Sequence, residues 1–142
     1  MAKIFCVANQ KGGVGKTTTC VNLAAALQQA GQRTLLIDLD PQGNATMGSG
    51  IDKRALKSSV YHLLVGRTAL AGVRVTSPTG GYDVLPANRD LAGAEVELVN
   101  LEQREKRLRN ALAAFMDDYD FILIDCPPSL SMLTLNGLCG AT

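Results

Sequence analysis

The chain has 142 residues, of which 46% are hydrophobic and 19% charged, and 14 Lys plus Arg against 13 Asp plus Glu leave a net charge of +1. That length supports one domain with a real core, and the composition excludes a disordered tail, a collagen-like repeat and a disulfide miniprotein. No apolar run approaches the roughly 18 residues that span a bilayer, and so neutral a chain has no global electrostatic pull on nucleic acid.

Ile4 to Ala8 is a continuous apolar run, the pattern of a strand buried on both faces of a parallel sheet. Its lead-in carries one lysine and no small-residue cleavage pattern, so it reads as a strand and not as a signal peptide. Gln10 to Gly15 is a glycine-rich turn. From Thr17 the period changes: Cys20, Leu23, Ala24 and Leu27 fall at i, i+3, i+4 and i+7, one stripe of a helix that Gly31 is expected to stop. Thr34 to Ile37 is a second buried strand, ending in Asp38-Leu39-Asp40-Pro41. Strand, turn, helix and strand make a unit the size of a βαβ crossover.

Gly43 to Gly50 is polar and glycine-rich and reads as a loop. Ser59 to Val65 is predicted as a short helix, with brief strands at Val73–Thr76 and Tyr82–Leu85 across the turn signals Pro78, Gly80 and Gly81. One helix is expected from about Leu91 to Phe115, with Leu98, Leu101, Leu108, Leu112 and Phe115 on its apolar face. Glu102 with Lys106 and Glu105 with Arg109 would be surface i,i+4 pairs of about 0.2–0.5 kcal/mol each. Phe121 to Ile124 is another buried strand, closed by Asp125, and Leu130 to Leu138 begins a last helix. Alternating strands and helices indicate an α/β sheet. The last helix has no strand to return to, so the chain is expected to be the N-terminal piece of a longer protein.

The four cysteines, Cys6, Cys20, Cys126 and Cys139, form no C-x-x-C pair and lie at no zinc-finger spacing from the single histidine, His62. They read as reduced core thiols of a cytoplasmic protein. His62 itself is expected to be structural. Lys53, Arg54 and Lys57 read as a solvated face, and Tyr61, Tyr82 and Tyr119 are too scattered to stack bases.

The chemistry concentrates in Lys11-Gly12-Gly13-Val14-Gly15-Lys16-Thr17-Thr18. Glycines let backbone N–H groups turn toward one point, and such a nest opening into a helix N-terminus suits phosphate oxygens. Lys16 would reach the β- and γ-phosphates, and the Thr17 hydroxyl would bind Mg²⁺. A strict P-loop has Gly where this sequence has Gln10. The bland alternative, a glycine-rich hairpin, is disfavoured because the loop follows a buried strand and precedes a helix.

This stretch resembles the deviant Walker A motif of the ParA/MinD family of ATPases. Asp38-Leu39-Asp40-Pro41-Gln42-Gly43-Asn44-Ala45-Thr46 is similar to the family's second signature, and Phe121 to Ser129 resembles its Walker B strand and switch II. The Asp-Pro-Gln-Gly-Asn-Ala-Thr run looks specifically like the ParA/Soj partitioning branch. The resemblance implies an α/β P-loop NTPase fold with a mostly parallel sheet flanked by helices, C-terminally truncated, residues 1–142 being part of a single ATPase domain. It implies ATP bound by Lys11, Gly12, Gly13, Val14, Gly15, Lys16, Thr17 and Thr18. Mg²⁺ would be held by Thr17 directly and by Asp125 through water, with Asp38 supporting the metal shell. Lys11, Lys16 and Asp40 would be catalytic: Asp40 orienting the attacking water, and Lys11 contacting phosphates across a nucleotide-sandwiched homodimer, an arginine-finger-like role.

The function so implied is DNA segregation by a cytoplasmic, nucleoid-associated ATPase. ATP would build the dimer, the dimer would hold DNA nonspecifically, and a ParB-like partner would stimulate hydrolysis. Three other readings stand beside it. One is a MinD-like ATPase on a membrane surface, another a metal-cluster carrier in the style of the nitrogenase iron protein. The third is an inactive nucleotide-binding fragment, because half a sheet leaves an open edge and uncovered apolar faces.

Overall fold

The computed structural model describes residues 2–7, 14–127 and 131–141, the side chains of 14–16 excepted. Five strands form one sheet: β1 (Lys3–Val7), β2 (Thr34–Asp38), β3 (Val75–Thr76), β4 (Asp83–Leu85) and β5 (Phe121–Asp125). Their spatial order is β1-β5-β2-β4-β3. All pairs are parallel except β3 with β4. The three apolar runs of the sequence therefore lie side by side, with β5, the last of the three in the sequence, inserted between the first two. Leu35, Leu36, Ile37, Ile122, Leu123 and Ile124 are wholly inaccessible to solvent. Burying each stabilises the fold by about 1.5–3 kcal/mol before entropy is charged.

Helices cover both faces. Helix α1 (Val14–Gln29) lies on the face of Leu36, Val84 and Leu123, through Cys20 and Ala24. The opposite face holds Leu35, Ile37, Ile122 and Ile124 beneath α3 (Val60–Leu64), α4 (Leu70–Val73), α5 (Ala94–Val99), α6 (Arg107–Leu112) and α7 (Met132–Gly140). Coverage is uneven on the α1 side. Leu23, predicted for the buried stripe, is 42% exposed, and Phe5 of β1 is 50% exposed. Among the described residues β1 is the outer strand on one side of the sheet. Among the described residues no helix is long and apolar enough to cross a membrane.

Two sequence expectations are corrected. The stretch 43–50 is not all loop: Asn44–Gly48 forms a helix, α2. Gly43 enters it at φ 67°, and an added Cβ would lie 2.7 Å from the Ala87 carbonyl oxygen, so the glycine signals helix entry here rather than loop. The helix expected over Leu91–Phe115 is broken into α5 and α6, with 3₁₀ turns at Arg89–Gly93, Arg104–Lys106 and Ala113–Phe115. Gln103 takes a left-handed conformation at φ 52° and ends the helical spacing. Accordingly, among the described residues no ion pair joins Glu102 to Lys106 or Glu105 to Arg109. The apolar face survives the break, because Leu98, Leu108 and Leu112 are buried.

His62 takes a structural contact: its Nδ1 accepts the Ser59 N–H at 3.1 Å at the start of α3. Tyr82 and Ser49 join hydroxyls at 2.7 Å, and the Tyr119 hydroxyl donates to Asp83 at 2.7 Å. The tyrosines are thus spent on separate buried contacts.

Candidate functional site

Three strands end at one edge of the sheet, and two of them end in aspartate. Parallel register sets Asp38 of β2 opposite Asp125 of β5, and Val7 of β1 opposite Asp125 on its other side. Ligands of open α/β sheets bind outside this carboxyl edge. Both aspartates are fully buried.

Helix α1 begins at the same edge. Its Thr17 Oγ1 donates to Asp125 Oδ2 at 3.1 Å, and Cys20, one turn on, points its thiol at Asp125 Oδ1 from 4.0 Å. A hydroxyl and a carboxylate so placed are oxygen donors of the type magnesium takes, one or two protein groups completed by water and phosphate. Among the described residues no cluster of three or more His, Cys, Asp or Glu could hold a metal ion unaided. The residues present therefore fit a shared magnesium–phosphate site better than an all-protein metal cage.

Asp38 faces the other way along its carboxylate. Its Oδ1 accepts the Asp40 N–H at 3.0 Å. Its Oδ2 accepts the Thr46 N–H at 2.9 Å and the Thr46 hydroxyl at 2.8 Å. Thr46 Oγ1 in turn accepts the Ala87 N–H at 2.9 Å. One carboxylate thus ties the end of β2, the turn through Asp40, the start of α2 and the chain beyond β4. Burial pushes the Asp38 carboxyl up to about 7 and the charge of Asp125 adds to that, against the pull of its hydrogen-bond donors. Asp40 is only half-buried, and its Oδ1 accepts the Gln42 N–H at 3.0 Å. The Gln42 carbonyl is bonded by the Lys53 ammonium, so one lysine of the basic cluster braces this turn.

Thr17, Asp38, Asp40 and Asp125 are therefore gathered at one edge by three elements. Thr18 lies exposed on the first turns of α1. Lys11, Gly12 and Gly13 lie outside the described residues, as do the side chains of Val14, Gly15 and Lys16. Cys126 follows Asp125 and packs its sulfur 2.8 Å from that of Cys6 on β1. Thr46 belongs to the Asp-Pro-Gln-Gly-Asn-Ala-Thr run, which gives it no role of its own; the structure makes it the hydroxyl donor to Asp38.

The family model described as "AAA domain" matches residues 2–142. The chain is 66% identical over 138 residues to an uncharacterized protein of Pseudomonas putida, covering 97% of this chain and 52% of that protein. It is 52% identical over 138 residues to the sporulation initiation inhibitor protein Soj of Bacillus subtilis, covering 97% of this chain and 54% of Soj. Among solved structures it is similar to cobyrinic acid a,c-diamide synthase of Mycobacterium smegmatis with bound ADP and magnesium. That match has a TM-score of 0.96 and 49% identity, and covers 99% of this chain and 57% of the other. The chain thus spans about half the length of the relatives it matches.

Proposed function

The chain belongs to the AAA domain family, and from that premise we propose that the protein carrying it is a ParA-like, Mg²⁺-dependent ATPase of DNA segregation. The observation that carries the reading is the Thr17 hydroxyl at 3.1 Å from Asp125, on the helix that contains the end of the Lys11–Thr18 motif. Phosphoryl transfer needs charge neutralisation, a metal and a positioned water. Lys16 and the loop amides from Gly12 to Thr18 would bind the triphosphate. Magnesium bound there would neutralise charge on the phosphate oxygens. Thr17 and Asp125 would hold it, Asp125 through water, while Asp38 supports the shell by fixing Thr46 and the turn through Asp40. Asp40 would orient the attacking water, and its partial exposure and light tethering leave it room to do so. Lys11 would act on the phosphates of a second subunit.

The chromosome-partitioning ATPase Soj of Treponema pallidum, 52% identical over 141 residues, supports the partitioning role by its name, and the ADP and magnesium of the Mycobacterium smegmatis structure support the ligands. ATP-driven dimerisation, nonspecific DNA binding, a ParB-like partner and a cytoplasmic, nucleoid-associated location complete the proposal. The test is ATP hydrolysis by the protein that carries this chain, with and without Mg²⁺, DNA and a ParB-like partner. Mg²⁺-dependent release of phosphate that Lys16→Ala abolishes is the expected result; its absence under all of these conditions overturns the reading. A second reading rests on the name of the Mycobacterium smegmatis protein, an amide-forming synthase. ATP consumption that requires a carboxylic acid and an ammonia donor, and ignores DNA, would favour it.

A further inference from the structure

Helix α7 begins six residues after Cys126, and its first turn is held from a distant element. The first amides of a helix have no partner within it. Here the Met132 N–H donates to Glu95 Oε2 at 2.9 Å and the Leu133 N–H to Glu95 Oε1 at 3.1 Å. Ser131 Oγ takes the Thr134 N–H at 3.4 Å. Both oxygens of one carboxylate thus cap a helix that starts 37 residues later in the sequence. Its negative charge sits at the positive end of the α7 dipole, and charge-assisted bonds of this kind are the strong ones.

Glu95 is held in place to do this. Its neighbours Ala94 and Leu98 are buried without solvent access, and the Tyr61 hydroxyl donates to Glu97 on the same helix. Asn136, one turn into α7, repeats the tie: its Oδ1 accepts the Leu108 N–H at 3.0 Å and its Nδ2 donates to the Arg104 carbonyl at 2.8 Å. Just past β5, the Cys126 N–H donates to the Val7 carbonyl at 3.1 Å. Cys126 is therefore tied to the sheet and Met132 to α5.

We propose that Glu95 is a positioning residue: from α5 it fixes the start of α7, and with it the far end of the chain that leaves Asp125, for ATP hydrolysis at that edge. The kinetic half of this rests on the proposed ATPase function; the anchoring half does not. Glu95→Gln keeps the size but loses the charge and one acceptor. In the protein that carries this chain, it should speed hydrogen exchange at the Met132 and Leu133 amides about tenfold, the scale of one charge-assisted hydrogen bond. Exchange at the β2 and β5 amides should stay unchanged. The kcat for ATP should fall by about the same factor with KM for ATP unchanged. Glu95→Asp, which keeps the charge, should recover part of both effects, and it serves as the test variant if Glu95→Gln does not fold. Unchanged exchange at Met132 and Leu133 overturns the anchor. Faster exchange with kcat unchanged, or with kcat lost only in step with a lower folded fraction, overturns the positioning role. A wild-type protein without ATPase activity counts against the proposed function instead, and the exchange result then decides the anchor alone.

Discussion

Two regions of this molecule are positioned by different means. Strands β1, β5 and β2 stand side by side as a block of apolar runs in one parallel register, and the acidic residues appear only where the strands end. Residues 44–115 are short helices, 3₁₀ turns and two brief strands that bury Leu64, Leu91, Leu98 and Leu108 in the same core and add single polar ties such as Thr46 to Ala87, Arg107 to the Leu64 carbonyl at 2.8 Å, and Asn136 to Leu108. In the first region a continuous backbone ladder sets the register and many residues share it. In the second, scattered side chains share the burial and individual hydrogen bonds fix where the pieces sit, so a single substitution can remove a tie outright. If the two regions divide the labour in this way, damage at the strand ends should strike chemistry. Damage to the strands should strike stability, and damage to the ties should strike stability in smaller steps.

The largest expected effect is at Asp40. Removing a group that positions a nucleophile costs about 10²–10⁴ in rate, so Asp40→Ala should reduce kcat by that factor in single-turnover ATP hydrolysis. Nucleotide affinity, read by fluorescence of a labelled ATP, should be retained. Equal loss of affinity and rate would place Asp40 in binding and blur the division between strand end and strand.

Within the block, Leu36→Ala should lower the free energy of unfolding by about 2–5 kcal/mol, the range for truncating a buried Leu. Leu36 lies between β4 and β5 with no solvent access, and its neighbours Val84 and Leu123 are pinned by the ladder. Among the ties, Asn136→Ala should cost about 1–3 kcal/mol, because the buried Leu108 N–H loses its acceptor. Denaturant unfolding of both variants measures the contrast. A larger loss at Asn136 than at Leu36 would reverse it.

The strand ends were legible because their signals are local. Each buried run is continuous, the second and third end in Asp, and the Lys11–Thr18 glycine motif has few other uses. The middle was less legible because its breaks come from tertiary demands. The leucines at 98, 101, 108 and 112 keep helical spacing across a chain that turns at Gln103, since both α5 and α6 face the same core and the period alone does not show the turn. The polar look of 43–50 hid α2 because Ala45 and Thr46 are buried by their neighbours, Thr46 through Asp38, rather than by an apolar stripe. Leu23 shows the converse: its spacing is right for the α1 stripe, yet it is exposed while Cys20 and Ala24 are buried.

Asp38 joins the two regions, and pH probes the joint. Its carboxyl is raised to about 7 in the folded protein by burial and the nearby charge of Asp125, above the ordinary carboxylate value near 4. Between those values the folded state holds a proton that the unfolded chain releases. Stability of the metal-free protein should therefore fall as pH rises from about 4 to about 7, and be flat on this account above it. Asp38→Asn, with no proton to exchange, should remove that slope in thermal unfolding. A slope that persists in Asp38→Asn would assign it to another group.

The smallest effect tests the surface end of the same strands. Arg33 precedes β2 and Asp120 precedes β5; their side chains pair at 3.2 Å, with 60% and 35% of the side-chain surface exposed. Solvent and salt screen such a pair, so Arg33→Ala should leave unfolding unchanged within error. Asp120 does more than its partner. Its Oδ2 also accepts the backbone N–H of Arg33 at 2.8 Å, a bond that survives when the Arg33 side chain is cut away. Asp120→Ala should therefore destabilise measurably more than Arg33→Ala, and the difference should persist at high salt, because it comes from joining two strand starts through the backbone and not from the ion pair. Equal effects that vanish together in salt would return both residues to plain surface electrostatics.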